Sequence, residues 1–304
     1  MLKIAILGAS GIGKYHAREF AEAGCDVVAI LGSTKESAER TAQFLHENKE
    51  FNNGKFSINA RPYHDLTTLL SEEELDAASI CTPPHLHSTH VKQCLEAGLH
   101  VLCEKPFVLD SQYQNYQIAK DLVALAREKN RIISVNTQWV FAIPYIPKRI
   151  TSQGVQNFSM YINPVNITGS KLLHECIPHL NSMLIRLVPE GSAGDIRFLS
   201  RDSKDLKIEF KYGNCNVNYN VVCKKEKPTS LGFSINGNKF EREIGENYTQ
   251  FLKGENGFQK IEDPLKTSVK NFVFALSGGK PHLSEHETLQ NMRLQDQIIE
   301  EYHR

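Results

Sequence analysis

The sequence predicts an α/β protein: a doubly wound parallel sheet at the N-terminus, then an α+β region built on a mainly antiparallel sheet. Three observations carry that reading. Short apolar runs alternate with amphipathic stretches over the first 140 residues, and a glycine-rich turn joins the first run to the first amphipathic stretch. Beyond about Ile150 the texture changes to strand-like segments joined by tight Asn/Gly turns. We place the boundary at 140, giving an N-terminal domain of 1–140 and a second of 141–304.

The first run, Lys3–Leu7, is apolar from Ile4 onward, as in a parallel strand covered on both faces. Ile12–Ala23 reads as a helix stopped by Gly24, Val27–Leu31 as a strand, and Glu36–Asn48 as a helix with Ala38, Ala42 and Leu45 on one stripe. The unit repeats as strand Ala77–Cys81, helix Ser88–Ala97 closed by Gly98, and strand His100–Cys103. Helix Ser111–Asn130 and strand Ile132–Val135 follow. Right-handed crossovers then bring the strand C-termini to one edge, where ligands bind in such sheets. In the second region, Gly194–Asp202, Asp205–Tyr212, Asn216–Lys224, Ser230–Asn236 and Lys239–Glu243 read as strands. Two helices close the chain, Pro264–Leu276 and Ser284–Tyr302, the latter with Ser284 as N-cap.

Composition narrows the function classes. Lys plus Arg balances Asp plus Glu at 35 each, so no overall field draws in nucleic acid or an anionic membrane. No apolar run approaches the roughly 18 residues of a membrane span, and Met1–Gly8 lacks the features of a signal peptide. The seven cysteines are scattered with no Cys-x-x-Cys pair, which fits thiols in a reducing compartment. A cytoplasmic location is expected.

The turn Gly8-Ala9-Ser10-Gly11-Ile12-Gly13 links the first strand to the first helix. Gly8 permits a tight turn, Gly13 lets the helix pack against the strand, and the helix N-terminus offers N–H groups to a pyrophosphate. Ser10 stands where such a motif usually has its second glycine. At the end of the second strand, where an NAD site usually has an acid, the chain has Gly32-Ser33-Thr34-Lys35. Two hydroxyls and an ammonium suit a ribose 2′-phosphate and favour NADP, while Glu36, next in line, keeps NAD open.

Three further segments complete a pattern: Cys81-Thr82-Pro83-Pro84-His85-Leu86-His87, Glu104-Lys105-Pro106, and Lys171 to Ser182. In this order and spacing the chain resembles the glucose–fructose oxidoreductase, inositol dehydrogenase and rhizopine-catabolism (Gfo/Idh/MocA) family over nearly its whole length. The resemblance implies a Rossmann domain, a sheet-based substrate domain, a nicotinamide cofactor and a sugar, sugar-nucleotide or cyclitol substrate. It also implies a homodimer or homotetramer. Other members reduce non-sugar carbonyls, imines or pigments, and a few bind cofactor as sensors or regulators without turnover. It assigns the cofactor edge to Thr82, Pro83, His87, Glu104 and Lys105, beside Gly8, Ser10, Gly11, Ile12, Gly13, Ser33, Thr34 and Lys35. His16 also matches a position flanking the cofactor, and Gln138 and Trp139 a cofactor or substrate contact.

The same resemblance makes Lys105 the catalytic lysine. An ammonium there stabilises negative charge on the reacting oxygen. His179 is the expected catalytic histidine, four residues after the acid Glu175, with His174 as a competitor for the role. In a helix Glu175 and His179 share a face, although Pro178 would clash unless the helix starts near it. His174-Glu175 does not make a zinc motif, because Pro178 stands where His-Glu-x-x-His needs its second histidine.

Overall fold

The computed structural model describes residues 1–304 except Asn53, Ser111 and Tyr113, and of Asn247 only the backbone. In chain order the first elements are β1 (Lys3–Leu7), α1 (Gly13–Glu22), β2 (Asp26–Leu31), α2 (Lys35–Glu47), β3 (Arg61–Tyr63) and α3 (Leu66–Glu72). Then come β4 (Ala77–Ile80), α4 (His87–Glu96), β5 (His100–Glu104), α5 (Asn115–Glu128), β6 (Ile133–Asn136), α6 (Lys148–Thr151), β7 (Asn157–Asn163) and α7 (Lys171–Leu187). The chain continues through β8 (Ala193–Arg201), β9 (Asp205–Tyr212), β10 (Cys215–Val222), β11 (Ser230–Ile235), β12 (Asn238–Ile244), β13 (Gln250–Gly254) and β14 (Gly257–Ile261). It ends with α8 (Pro264–Leu276) and α9 (Glu285–His303).

Two compact units result. The first holds Met1–Asp110, Gln117–Asn136 and Leu265–Glu285, around a six-stranded sheet of order β3-β2-β1-β4-β5-β6. Every pairing in it is parallel. β1 is buried from Ile4 to Leu7, as its unbroken apolar run requires. Gly24 and Gly98 take positive φ (+81° and +80°) just beyond α1 and α4, ending both helices as expected. Two elements had no legible signal: β3 is a three-residue edge strand carrying Pro62, and α3 is a short helix capped by Asp65, whose carboxylate accepts from Thr68 N–H at 2.7 Å. The expected start of the helix before β6, Ser111, lies outside the described residues; α5 runs from Asn115.

The units are not the contiguous stretches 1–140 and 141–304. The first breaks off at Asn136, and α8 returns to it from the far end of the chain. Leu265, Val269 and Phe272 of α8 are buried in one core with Ile4, Ile6 and Phe20, and the Phe20 and Phe272 rings meet edge to face at 6.1 Å.

The second unit contains Thr137–Pro264 and His286–Arg304, together with Asn115 and Tyr116, which are held by the Asp296 carboxylate of α9. Its eight-stranded sheet has the order β14-β13-β12-β11-β7-β10-β9-β8. The sheet is antiparallel except where β7 and β10 run parallel. Strict alternation in β7, β9 and β10 puts Phe158, Met160, Ile162, Leu206, Ile208, Phe210, Val217, Tyr219 and Val221 into its core. The apolar stripe of α7 is buried in that same core. This explains why Pro178 does not set the start of α7, as the sequence suggested. The helix begins at Lys171 and carries Pro178 inside it. Burial of Leu172, Leu173, Cys176, Ile177, Leu180, Met183 and Leu184 outweighs the roughly 3 kcal/mol that an interior proline costs. The Pro178 carbonyl also accepts from Asn291 Nδ2 at 2.9 Å.

No helix among the described residues is long and apolar enough to cross a membrane. Because α8 completes the first core, Phe272→Ala should lower stability by about 3–5 kcal/mol. Urea unfolding followed by circular dichroism measures this, and an unchanged midpoint would mean that α8 is not part of that core.

Candidate active site

The glycine turn is built by backbone contact. Gly8 has φ +86°, and a Cβ there would stand 2.5 Å from the Cys81 carbonyl oxygen and 2.6 Å from the Thr82 nitrogen. A Cβ on Gly13 would stand 2.5 Å from the Gly8 carbonyl oxygen. Both glycines are therefore needed to close α1 onto β1 and β4. Gly11, by contrast, faces open space, and Ser10, Gly11 and Ile12 are exposed. Among the described residues no backbone carbonyl accepts from the N–H groups of these three, and no side chain caps α1. Exposed N–H groups at a helix start beside the point where strand order reverses form a cradle suited to a pyrophosphate, with Ser10 fitting because it projects outward.

At the end of β2, Gly32 brings the α2 backbone close, since a Cβ there would meet Ala38 N at 2.6 Å. Ser33, Thr34 and Lys35 are all exposed. Thr34 is committed locally, because its hydroxyl oxygen accepts from Ser37 N–H at 3.2 Å as the cap of α2. The Lys35 ammonium lies 4.0 Å from Glu39. Glu36 also turns toward the helix start: its own backbone N–H and the Thr34 hydroxyl hold its carboxyl below the ordinary range.

The loops after β4 and β5 are tied together by His87, which is buried. Its Nε2 lies 2.8 Å from the Thr82 carbonyl oxygen and its Nδ1 2.7 Å from that of Pro106. Both nitrogens can donate only when the ring carries two protons, and burial opposes that charge, pushing the pKa below its ordinary value. His87 therefore braces the loops after β4 and β5, its two ring nitrogens turned to their carbonyls. Thr82 is partly exposed and also meets His90 Nδ1 through its hydroxyl at 3.1 Å, while Pro83 is exposed.

Glu104, the last residue of β5, likewise points inward. Its Oε1 accepts from His16 Nε2 at 3.0 Å and from Asn136 Nδ2, and its Oε2 accepts from the Lys105 backbone N–H at 3.3 Å. His16 Nδ1 lies 2.8 Å from Ser79 Oγ. Burial alone would lower the His16 pKa, but the Cys81 sulfur and the Glu104 carboxylate outweigh it and raise the value to about 10. Burial would raise Glu104, but the hydrogen bond and charge of His16 hold it at about 2. Neither His16 nor Glu104 reaches the exposed edge; they form a buried ion pair behind it. Sequence reasoning named both but did not join them, and it missed Ser79 and Asn136. The register of β4, β5 and β6, together with the seating of α1, brings these four together.

Lys105 is half-buried on the turn just after β5. In the second unit, Glu175 and His179 lie one turn apart on α7 and are both half-buried, as the i, i+4 spacing requires. His174 shares the helix, its pKa held low by burial and by His303. Trp139 is a core residue with the Arg242 guanidinium 5.3 Å from its ring centroid, and Gln138 is half-buried beside it.

An open parallel sheet with a glycine turn at its switch point defines a dinucleotide-binding unit of the Rossmann type. Residues 2–137 match the Gfo/Idh/MocA family, described as an oxidoreductase family with an NAD-binding Rossmann fold. UDP-N-acetylglucosamine 3-dehydrogenase of Acidithiobacillus ferrooxidans is 28% identical over 134 residues, 44% of this chain and 36% of that protein. D-glucoside 3-dehydrogenase of Escherichia coli is 27% identical over 179 residues, 58% of this chain and 44% of that protein. In neither case does the match reach half of the relative's length. Solved structures extend the likeness of fold to the whole chain. That of the Acidithiobacillus enzyme superposes with a TM-score of 0.74 at 17% identity, covering 98% of this chain and 96% of the other. That of GenD2 from gentamicin A biosynthesis, in complex with NAD, gives 0.75 at 13% identity, covering 99% and 94%.

The two shifted groups define a pH window. Glu104, lowered from 4.5, adds stability above pH 4.5 that is lost as pH falls toward about 2. His16, raised from 6.5, adds stability below pH 6.5 that is lost as pH rises through about 10. The stability difference between the native protein and His16→Gln should therefore peak between pH 4.5 and 6.5 and shrink on either side. Urea unfolding across pH tests this, and a difference independent of pH would contradict it.

Proposed function

We propose that the protein is a cytoplasmic NAD(P)-dependent oxidoreductase that interconverts a hydroxyl and a carbonyl on a sugar, sugar nucleotide or cyclitol. The observation that carries this reading is the open cradle of exposed N–H groups at Ser10, Gly11 and Ile12, held by the Gly8 and Gly13 backbone contacts. The nicotinamide, when bound, supplies or accepts the hydride at C4. Its pyrophosphate would be held at Gly8–Gly13.

The chain's own residues do the rest. Lys105 holds developing negative charge on the reacting oxygen, and His179 takes or returns the hydroxyl proton. Glu175, one turn earlier on α7, orients the substrate or the Lys105 ammonium. The motif positions of these residues support the assignment. Both named relatives are sugar 3-dehydrogenases, so oxidation at carbon 3 of hexopyranosides and nucleotide sugars is the first assay. NADP is the favoured cofactor. Ser33 and Lys35 are exposed at the end of β2, and the acid next in line, Glu36, is held by its own backbone N–H and the Thr34 hydroxyl. We also propose that the protein works as a homodimer or homotetramer, which light scattering would read.

NADPH should bind more tightly than NADH by on the order of 1–3 kcal/mol, with Lys35→Ala narrowing the gap. Calorimetry giving equal affinities would remove the preference. Lys105→Ala and His179→Ala should each lower kcat by roughly 10²–10⁴. Because both serve the same oxygen and proton, the double variant should lose much less than the product of the two. Normal turnover in His179→Ala with a dead His174→Ala would move the base to His174. A protein that binds NADPH yet turns over none of these substrates would instead be a sensor.

A further inference from the structure

The buried cluster behind β5 has no place in the chemistry above, yet it joins four polar side chains from α1, β4, β5 and β6. His16 and Asn136 are fully buried and Glu104 nearly so. A buried ion pair of this kind is a weak source of stability, because desolvation offsets most of its attraction, but it fixes geometry well. What it fixes is legible in the hydrogen bonds. One Glu104 oxygen takes His16 and Asn136, which belong to α1 and β6, and the other takes the backbone N–H of Lys105. Ser79 of β4 holds the far side of the His16 ring. The carbonyl of the following residue, Pro106, is held by His87. Lys105 thus sits on a turn gripped on both sides, and one grip runs directly to the helix that begins at the glycine turn.

We propose that His16, Glu104 and Asn136 are positioning residues for Lys105, setting the backbone from which its ammonium projects and tying that backbone to the seating of α1. The proposal rests on the catalytic role assigned to Lys105 above. With two protons on its ring, His16 donates through Nε2 to Glu104 and through Nδ1 to Ser79, so the carboxylate cannot rotate away from the Lys105 N–H. Replacing His16 or the Glu104 charge leaves the ammonium in place but loosens its support. The expected cost falls on kcat, and the cofactor cradle is spared because its N–H groups precede His16 by a full turn.

The test uses His16→Gln and Glu104→Gln, which stay close to the native size but remove the charges and, at Glu104, one of the two acceptor oxygens, each also made on Lys105→Ala, with folding checked by thermal melting. Each variant should lower kcat roughly 10–100-fold, the usual effect of a catalytic group displaced by about an ångström. NADPH affinity by calorimetry and KM should stay near native. On Lys105→Ala the same substitutions should have little further effect, since there is no ammonium left to position. An equal loss on both backgrounds would mean a merely structural role and overturn the proposal. A second readout needs no turnover: hydrogen exchange at the Lys105 amide should quicken several-fold in Glu104→Gln, because a neutral acceptor holds the N–H less strongly than a carboxylate. Exchange at Val101 to Cys103 should not change. If no substrate is ever found but Lys105 exchange responds, the catalytic reading fails while the brace stands. If Lys105 exchange is unmoved in both variants, the brace fails whatever the activity.

Discussion

Everything in the first unit depends on one close backbone approach. Gly8 lies so near the end of β4, and Gly13 so near Gly8, that a methyl group on either would overlap a carbonyl oxygen. That contact sets the position of α1 against the sheet. With α1 seated, His16 lies over Ser79 and Glu104, and the Glu104 carboxylate reaches the Lys105 N–H. The turn that offers N–H groups to a phosphate and the turn that carries the candidate catalytic lysine are therefore two ends of one rigid path. Bulk packing alone would not give this precision, since apolar side chains fix distances less sharply than an ion pair with few allowed orientations.

The second unit solves a different problem. Its α7 must present polar residues while most of its surface is buried among the inner residues of an eight-stranded sheet. A helix with Pro178 inside it has a weakened backbone ladder at that point. It persists because seven apolar side chains hold it down and Asn291 takes the Pro178 carbonyl. Glu175 and His179 sit on the strip of α7 that the core leaves partly open.

The parts of this structure legible in the sequence are those set by local rules. β1, α1, α2, β4, α4, β5, β9 and α8 follow from apolar runs, helical stripes and positive-φ glycines, and their ends lie within a residue or two of expectation. What was not legible depends on partners distant in the chain. β3 is too short to show a period and carries Pro62. β7 alternates cleanly, but its parallel pairing with β10 overrides the hairpin logic of its neighbours. α8 reads correctly as a helix, while its membership of the first core depends on Phe20, about 250 positions away by the numbering of the two residues. The site divides in the same way. The glycine turn and the Glu104-Lys105-Pro106 and Thr82–His87 segments are local motifs, whereas the inward orientation of Glu104 follows from strand register and that of His87 from the Thr82 and Pro106 carbonyls it meets.

The most direct measurement is hydrogen exchange along the whole chain with and without saturating reduced dinucleotide. Exchange should slow at Ser10, Gly11 and Ile12, whose N–H groups lack backbone acceptors among the described residues, and at the Ser33–Lys35 segment at the end of β2. The antiparallel strands β8 to β10 should be indifferent. If neither NADPH nor NADH alters exchange at Ser10–Ile12, the turn is not a dinucleotide cradle and the oxidoreductase reading of this chain is wrong.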